Sequence, residues 1–256
     1  AWWLMLRKWL ICILVFTCCL NCYAERLVIA FEPFPPFINE DGEGLTANML
    51  REIEAISNFT FDIKIMTYAR AKHELEHQRI DIAGHTPKDI ETAEFYQYAI
   101  ELDWQIKTTS DLFSLEAKHI SLEQIKHQKI GTTTGNAGFF AEQLGIDKAL
   151  FIEIRTLDQL VDMLIKGRID VLLFERASVM TLLAEKGVYG VHYQSIGSIP
   201  ASMAVANNVR GRRLKQQLDS LIKQLDTDAL FAGYLKYLYL PSSGVTSITS
   251  MPALKH

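Results

Sequence analysis

A strand–helix–strand unit occurs twice in this chain, 89 residues apart, and that echo narrows the available folds more than any other feature. From Phe61 the residues FDIKIMTY alternate as a half-buried strand does, residues 69–78 read as a charge-rich helix, and RIDIAG reads as a second short apolar strand. Ile63, Ile65, Thr67, Leu75, Arg79, Ile80 and Asp81 return as Ile152, Ile154, Thr156, Leu164, Arg168, Ile169 and Asp170. Two strands separated by a crossover of about a dozen residues, at one spacing, are what a right-handed βαβ unit requires. The shared Arg-Ile-Asp at one register favours two similar α/β lobes over chance.

Each lobe has an opening strand, residues 26–31 and 129–132. In the first lobe it leads through Phe31-Glu32-Pro33-Phe34-Pro35-Pro36-Phe37 to a helix over 46–57, with Leu45, Met49, Ile53 and Ile56 on one face. In the second it leads through Gly131-Thr132-Thr133-Thr134-Gly135-Asn136 into a helix ending near Leu144-Gly145, where the glycine suits a C-terminal cap. Leu214, Leu218, Leu221, Ile222 and Leu225 make a late amphipathic helix suited to core packing.

The ends of the chain differ in kind from this body. Arg7-Lys8 precedes an apolar run of twelve residues, and Cys22 and Ala24 stand at the small-residue positions of a cleavage site. Residues 1–24 therefore read as a secretory signal peptide, with the run from Met5 the cleaner leader; twelve apolar residues fall short of the roughly 20 that span a bilayer. All four cysteines lie inside that leader, which excludes disulfides and thiolate chemistry from the mature chain. Without Arg7 and Lys8 there remain 24 basic against 30 acidic residues, and no basic cluster points to nucleic acid. Residues 241–256, Ser/Thr-rich and aperiodic, read as a disordered tail.

Four segments then carry a family resemblance: residues 27–37 with Gly44-Leu45-Thr46; Arg79-Ile80-Asp81-Ile82-Ala83-Gly84 with Thr86-Pro87; SLEQIKHQKIG from Ser121; and Gly167-Arg168-Ile169-Asp170-Val171 ending in Glu175. Together they resemble the bacterial extracytoplasmic (periplasmic) solute-binding proteins of ABC transporters, amino-acid-binding type. The resemblance implies an α/β, two-lobed periplasmic-binding-protein-like fold, each lobe a mixed sheet flanked by helices, with a hinge crossed twice. Lobe 1 would comprise 25–105 and 198–240, and lobe 2 106–197. It further implies a small-molecule ligand enclosed by hinge closure, delivery to an inner-membrane ABC permease or a sensor, a monomer in the periplasm, no cofactor and no metal.

Ligands of open α/β sheets sit beyond the carboxyl ends of the strands. The first such end is the proline-rich loop, whose prolines are expected to hold an extended backbone that presents Phe34 and Phe37 either to a ligand or to their own lobe. At the second, Tyr68 could stack on a ligand and Arg70 could bind an anion or sit solvated. At the third stand His85 and Thr86. There the family's carboxylate-binding Arg is replaced by Asp89, which an α-amino-acid carboxylate would not accept. At the fourth, Thr133, Thr134 and Asn136 at a helix start offer either an oxygen-binding site or a plain cap. At the fifth, the resemblance makes Glu175 the acid that meets a ligand's ammonium group; pairing with Arg176 is the alternative. No nucleophile elbow of GxSxG form, no HExxH zinc motif and no phosphate loop is expected, so the reading is binding rather than catalysis, with a cleft enzyme of the dehydratase type using His85 and Glu175 as the alternative.

Overall fold

The computed structural model describes residues 24–249 other than residue 122; the expected signal peptide up to residue 23 and the last seven residues lie outside them. The first half runs β1 (Glu25–Phe31), α1 (Leu45–Ile56), β2 (Phe59–Ile65), α2 (Tyr68–Glu76), β3 (Ile82–Pro87), the short α3 (Phe95–Tyr98) and β4 (Ala99–Glu101). Next come β5 (Thr109–Ser114), β6 (Ile130–Thr133), α4 (Ala137–Leu144), β7 (Phe151–Ile154), α5 (Leu157–Ile165), β8 (Val171–Glu175) and α6 (Arg176–Glu185). The chain closes with β9 (His192–Ser198), β10 (Ala201–Ala206), α7 (Val209–Ile222), α8 (Thr227–Leu230), α9 (Leu235–Leu238) and β11 (Ser243–Val245).

These strands form two mixed sheets, ordered β2-β1-β3-β10-β4 and β11-β9-β5-β8-β6-β7. The parallel trio β2-β1-β3 is repeated as β7-β6-β8, so the duplicated unit is a duplicated topology. Helices α2 and α5 begin and end 89 residues apart, each capped by a threonine, Thr67 or Thr156, whose hydroxyl accepts the N–H three residues on. The recurring Asp has one job in both halves. Asp81 accepts the N–H of Val28, and Asp170 that of Lys129, pinning the start of each opening strand. Ile80 and Ile169 are buried beside them, whereas Arg79 and Arg168 are exposed, so the motif serves folding.

The chain passes between the sheets over residues 102–108 and 199–200, where two segments run side by side. Ile199 donates to the Thr108 carbonyl, and Ala201 and Ile106 exchange a pair of hydrogen bonds. Helix α7 packs on β10 with Leu214, Leu218 and Ile222 inward, as its spacing predicts.

The tail expected from residue 241 is a correction. Ser243–Val245 pairs with His192–Gln194 as an edge strand, and Thr246 is buried, accepting from Val191 N–H and Gly190 N–H. Gly244 makes room for this: a Cβ there would come within 2.7 Å of the Tyr193 hydroxyl. A segment without apolar periodicity is held by backbone pairing, which leaves no side-chain pattern to read.

Candidate functional site

The proline-rich loop after β1 is a tight turn, not the extended segment expected. Phe34 and Ile38 bond to each other across it, and the carbonyls of Pro36 and Phe37 accept from Leu45 and Thr46 at the start of α1. The loop thus caps a helix whose own N-cap, Gly44, makes no side-chain capping bond. Gly44 has a φ of 137°, and a Cβ there would lie 2.4 Å from the Phe37 carbonyl, so only glycine lets helix and loop meet. Phe37 turns into lobe 1, against Tyr234, Phe231 and Phe34, while Phe34 faces across to Phe174 of the other sheet at 5.6 Å.

The carboxyl ends of β1, β3, β6 and β8 converge on a small, half-open cavity of about 40 Å³. Glu32, Phe34, His85, Asn136, Phe174 and Glu175 are among the residues lining it, with Thr86 and Ser110. That volume admits about three water molecules, so the lobes stand closed upon one another. A wider groove of about 400 Å³ lies outside these strand ends, between Glu40-Asp41 and Asp158, Leu182 and Glu185.

Glu32, which the sequence reading passed over inside its own highlighted loop, is the central group. Its carboxylate crosses to the second lobe and accepts from Thr133 Oγ1 at 2.9 Å and Asn136 Nδ2 at 3.2 Å. Burial pushes its pKa up to about 7, against these two hydrogen bonds and the Lys72 charge, which lower it. Three more contacts close the cleft: Ser178 Oγ donates to Pro35 O at 2.6 Å, Ala69 N to Thr134 O at 3.3 Å, and Lys72 Nζ to Gly135 O at 3.2 Å.

Glu175 caps α6, accepting from the N–H of Ser178 and from Tyr234 Oη at 3.1 Å, with the Ser178 hydroxyl 2.9 Å away, and burial pushes its pKa up to about 7. It makes no ion pair with Arg176, which grips Asp111 through Nε at 2.6 Å and Nη2 at 3.1 Å, and reaches the carbonyls of Tyr237 and Leu240. Asn136 lines the cavity but does not cap its helix; Glu153 does, accepting from Gly135 and Ala137. Thr86 donates to Glu101 at 2.6 Å. His85 Nε2 meets Thr46 Oγ1 at 2.8 Å, its Nδ1 is buried without a partner, and burial pushes the ring down to about 3, keeping it neutral.

Of the expected residues, the structure gathers Phe34, His85, Thr86, Asn136 and Glu175 on the cavity, with Thr133 beside it on Glu32. Tyr68 is set back, donating to the fully buried Glu91, which also holds Lys72 at 2.7 Å. Thr134 contributes its carbonyl to lobe contact rather than a hydroxyl to the cavity. Arg70 does not reach the site: its side chain is 67% exposed and faces Glu74. Helix α2 turns that position outward, because Tyr68, Ala71 and Leu75 take the inner face. Asp89 points away too, 76% exposed.

The expectation of no HExxH motif is corrected by residues 73–77. His73-Glu74-Leu75-Glu76-His77 has the HExxH spacing of zinc proteases, and His73, Glu76 and His77 are the one group among the described residues with metal-binding spacing. They are exposed on α2 and its C-cap, and none lines the cavity.

No protein-family profile and no curated protein matches the chain. Solved structures do. A histidine kinase sensor domain with similarity to periplasmic binding proteins aligns over 86% of this chain and 99% of its own, at 15% identity and a TM-score of 0.70. An ancestral arginine-binding protein bound to arginine aligns over 83% and 97%, at 19% identity and 0.66. The ligand-binding core of a glutamate receptor from Nostoc punctiforme, in complex with glutamate, aligns over 84% and 100%, at 14% and 0.66.

Proposed function

From a periplasmic-binding-protein fold closed over a small cavity that holds two carboxyl groups, we propose that this protein is an extracytoplasmic solute-binding protein that captures a small polar molecule between two lobes. Lobe 1 comprises residues 25–105 and 198–240, and lobe 2 comprises 106–197 with β11 added at its edge. The observation that carries the reading is the convergence of four strand ends, two from each matched sheet, on one small cavity. Binding works by closure: a ligand touching Phe34 and His85 on one side and Phe174, Asn136 and Glu175 on the other gains contacts only in the closed state, so it shifts the population toward closure.

The closed form is what a membrane partner would recognise. Likeness to an arginine-binding protein supports a permease as that partner, and likeness to a kinase sensor domain supports signalling through a separate receptor. We read the role as binding rather than catalysis on the likeness to an arginine-binding protein and a glutamate-bound domain; His85, the imidazole lining the cavity, is held near 3 and is a poor general base at pH 7.

The test is a thermal-shift screen of the mature chain with amino acids, amines, organic acids and sugars, followed by small-angle scattering with any hit. A cognate ligand at 100 times its dissociation constant stabilises by about 2.7 kcal/mol, or roughly 5–10 °C for a chain of this length. Scattering should show a more compact, monomeric particle. A screen without hits, together with turnover of one of the compounds, would overturn the reading.

A further inference from the structure

Resting on that reading, we infer that the cleft takes a small organic cation without a carboxylate, an amine or guanidine held between Glu32 and Glu175. The sites that would hold a ligand's carboxylate are already filled by the protein's own acids. At the start of α4, Thr133 and Asn136 donate to Glu32, and the N–H groups of Gly135 and Ala137 donate to Glu153. An incoming carboxylate would have to displace Glu32 and then share a confined cavity with two other acids.

Nor does a cation face the cavity to receive it. Its lining holds two carboxyl groups and no Lys or Arg. The nearby cations are engaged elsewhere: Arg176 on Asp111, Lys72 on Glu91, and Arg70 in solvent beside Glu74. The remaining surface suits a cation. Phe34, Phe139, Phe140 and Phe174 offer aromatic rings, whose faces attract ammonium and guanidinium groups. His85 adds a neutral ring whose buried Nδ1 has no partner in the protein. A cation that enters while the cleft is open takes the place of Thr133 and Asn136 on Glu32, and the lobes close over it.

Matched pairs that differ only by a carboxylate test this: agmatine against arginine, putrescine against ornithine, histamine against histidine. The decarboxylated member of at least one pair should bind the mature protein tenfold or more tighter than its parent by isothermal titration. Glu175→Gln and Glu32→Gln should each weaken that amine tenfold or more. Equal or tighter binding of the amino acids would overturn the ligand class while leaving a solute-binding cleft. Absence of binding by every amine, amino acid and organic acid would instead remove the cleft reading.

A separate observation carries a second site. We infer that His73, Glu76 and His77 form a surface site for a divalent transition metal, with zinc the best match to two imidazoles and a carboxylate. Their donor atoms lie within 4.8 Å of one another. His77 Nδ1 lies 2.9 Å from the His73 carbonyl; donating to it fixes the tautomer that leaves Nε2 free for a metal. The site sits at the C-terminus of α2, whose dipole favours a cation. Glu74, which would be the base of a zinc protease, is instead placed against Arg70 and Arg79. Binding, not hydrolysis, is therefore the expected activity.

Untagged protein titrated with zinc chloride should take up one equivalent, and His73→Gln and His77→Gln should each weaken it roughly tenfold or more. His192→Gln, on the second sheet, should not. Binding that survives both α2 substitutions unchanged, or no uptake at all, would overturn the site.

Discussion

Glu32→Gln should flatten the pH dependence of this protein's stability. The carboxyl group moves from an ordinary 4.5 to about 7 when the cleft is closed. Below pH 4.5 it is protonated in the folded and unfolded chain alike, and costs nothing. Between 4.5 and 7 the folded chain keeps a proton that the unfolded chain has lost, so stability falls as pH rises. Above 7 the full penalty of about 3 kcal/mol applies.

Glutamine does not titrate. Its amide oxygen can still accept from Thr133, but its NH2 faces the Asn136 donor, at a cost of about 1–3 kcal/mol. The variant should thus be the less stable protein at pH 4.5 and should overtake or equal the wild type by pH 8. The groups around Glu32 are Lys72, Glu91, Glu175 and His85, and His85 stays neutral over this range. Glu175 and Asp111, the latter raised to about 6 by burial against the pull of Arg176, titrate in the same window. They do so in both proteins and largely cancel in the difference. Urea unfolding at half-unit steps from pH 4.5 to 8.5 should show the stability difference swinging by about 3 kcal/mol. A pH-independent difference would mean that Glu32 is hydrated in solution, and the closed arrangement around it would be refuted.

Three further outcomes follow from the same geometry. Gly135→Ala should open the cleft without unfolding either lobe, because the residue has a φ of 102° and a Cβ would lie 2.4 Å from Ala69 N across the interface; scattering should report a larger radius of gyration and an unchanged far-ultraviolet spectrum. Arg176→Met should cost about 3–5 kcal/mol in urea unfolding by stranding the buried Asp111, and adding Asp111→Leu should recover most of it. Ending the chain at Leu240 should lower the melting temperature by several degrees, since it removes β11 and the three Thr246 hydrogen bonds; an unchanged melting temperature would restore the disordered-tail reading.

Periodicity and spacing were enough to define the repeated βαβ unit, the amphipathic α7 and the strand ends where a ligand could sit. Those are local properties, decided within one turn or one strand by side-chain pattern and capping chemistry. Which polar groups face one another across the cleft was not legible, because it depends on how two lobes distant in sequence close. Glu32 and Thr133 are 101 residues apart and share a hydrogen bond; Glu175 meets Tyr234 rather than its neighbour Arg176. The edge strand at Ser243–Val245 was hidden for a related reason, since its bonds are backbone bonds that leave no trace in residue type. Sequence alone settled two matched α/β lobes and the absence of an arginine at Asp89; tertiary closure decided that an internal carboxylate stands where a ligand's would have been, since burial and pairing are properties of the assembled cleft.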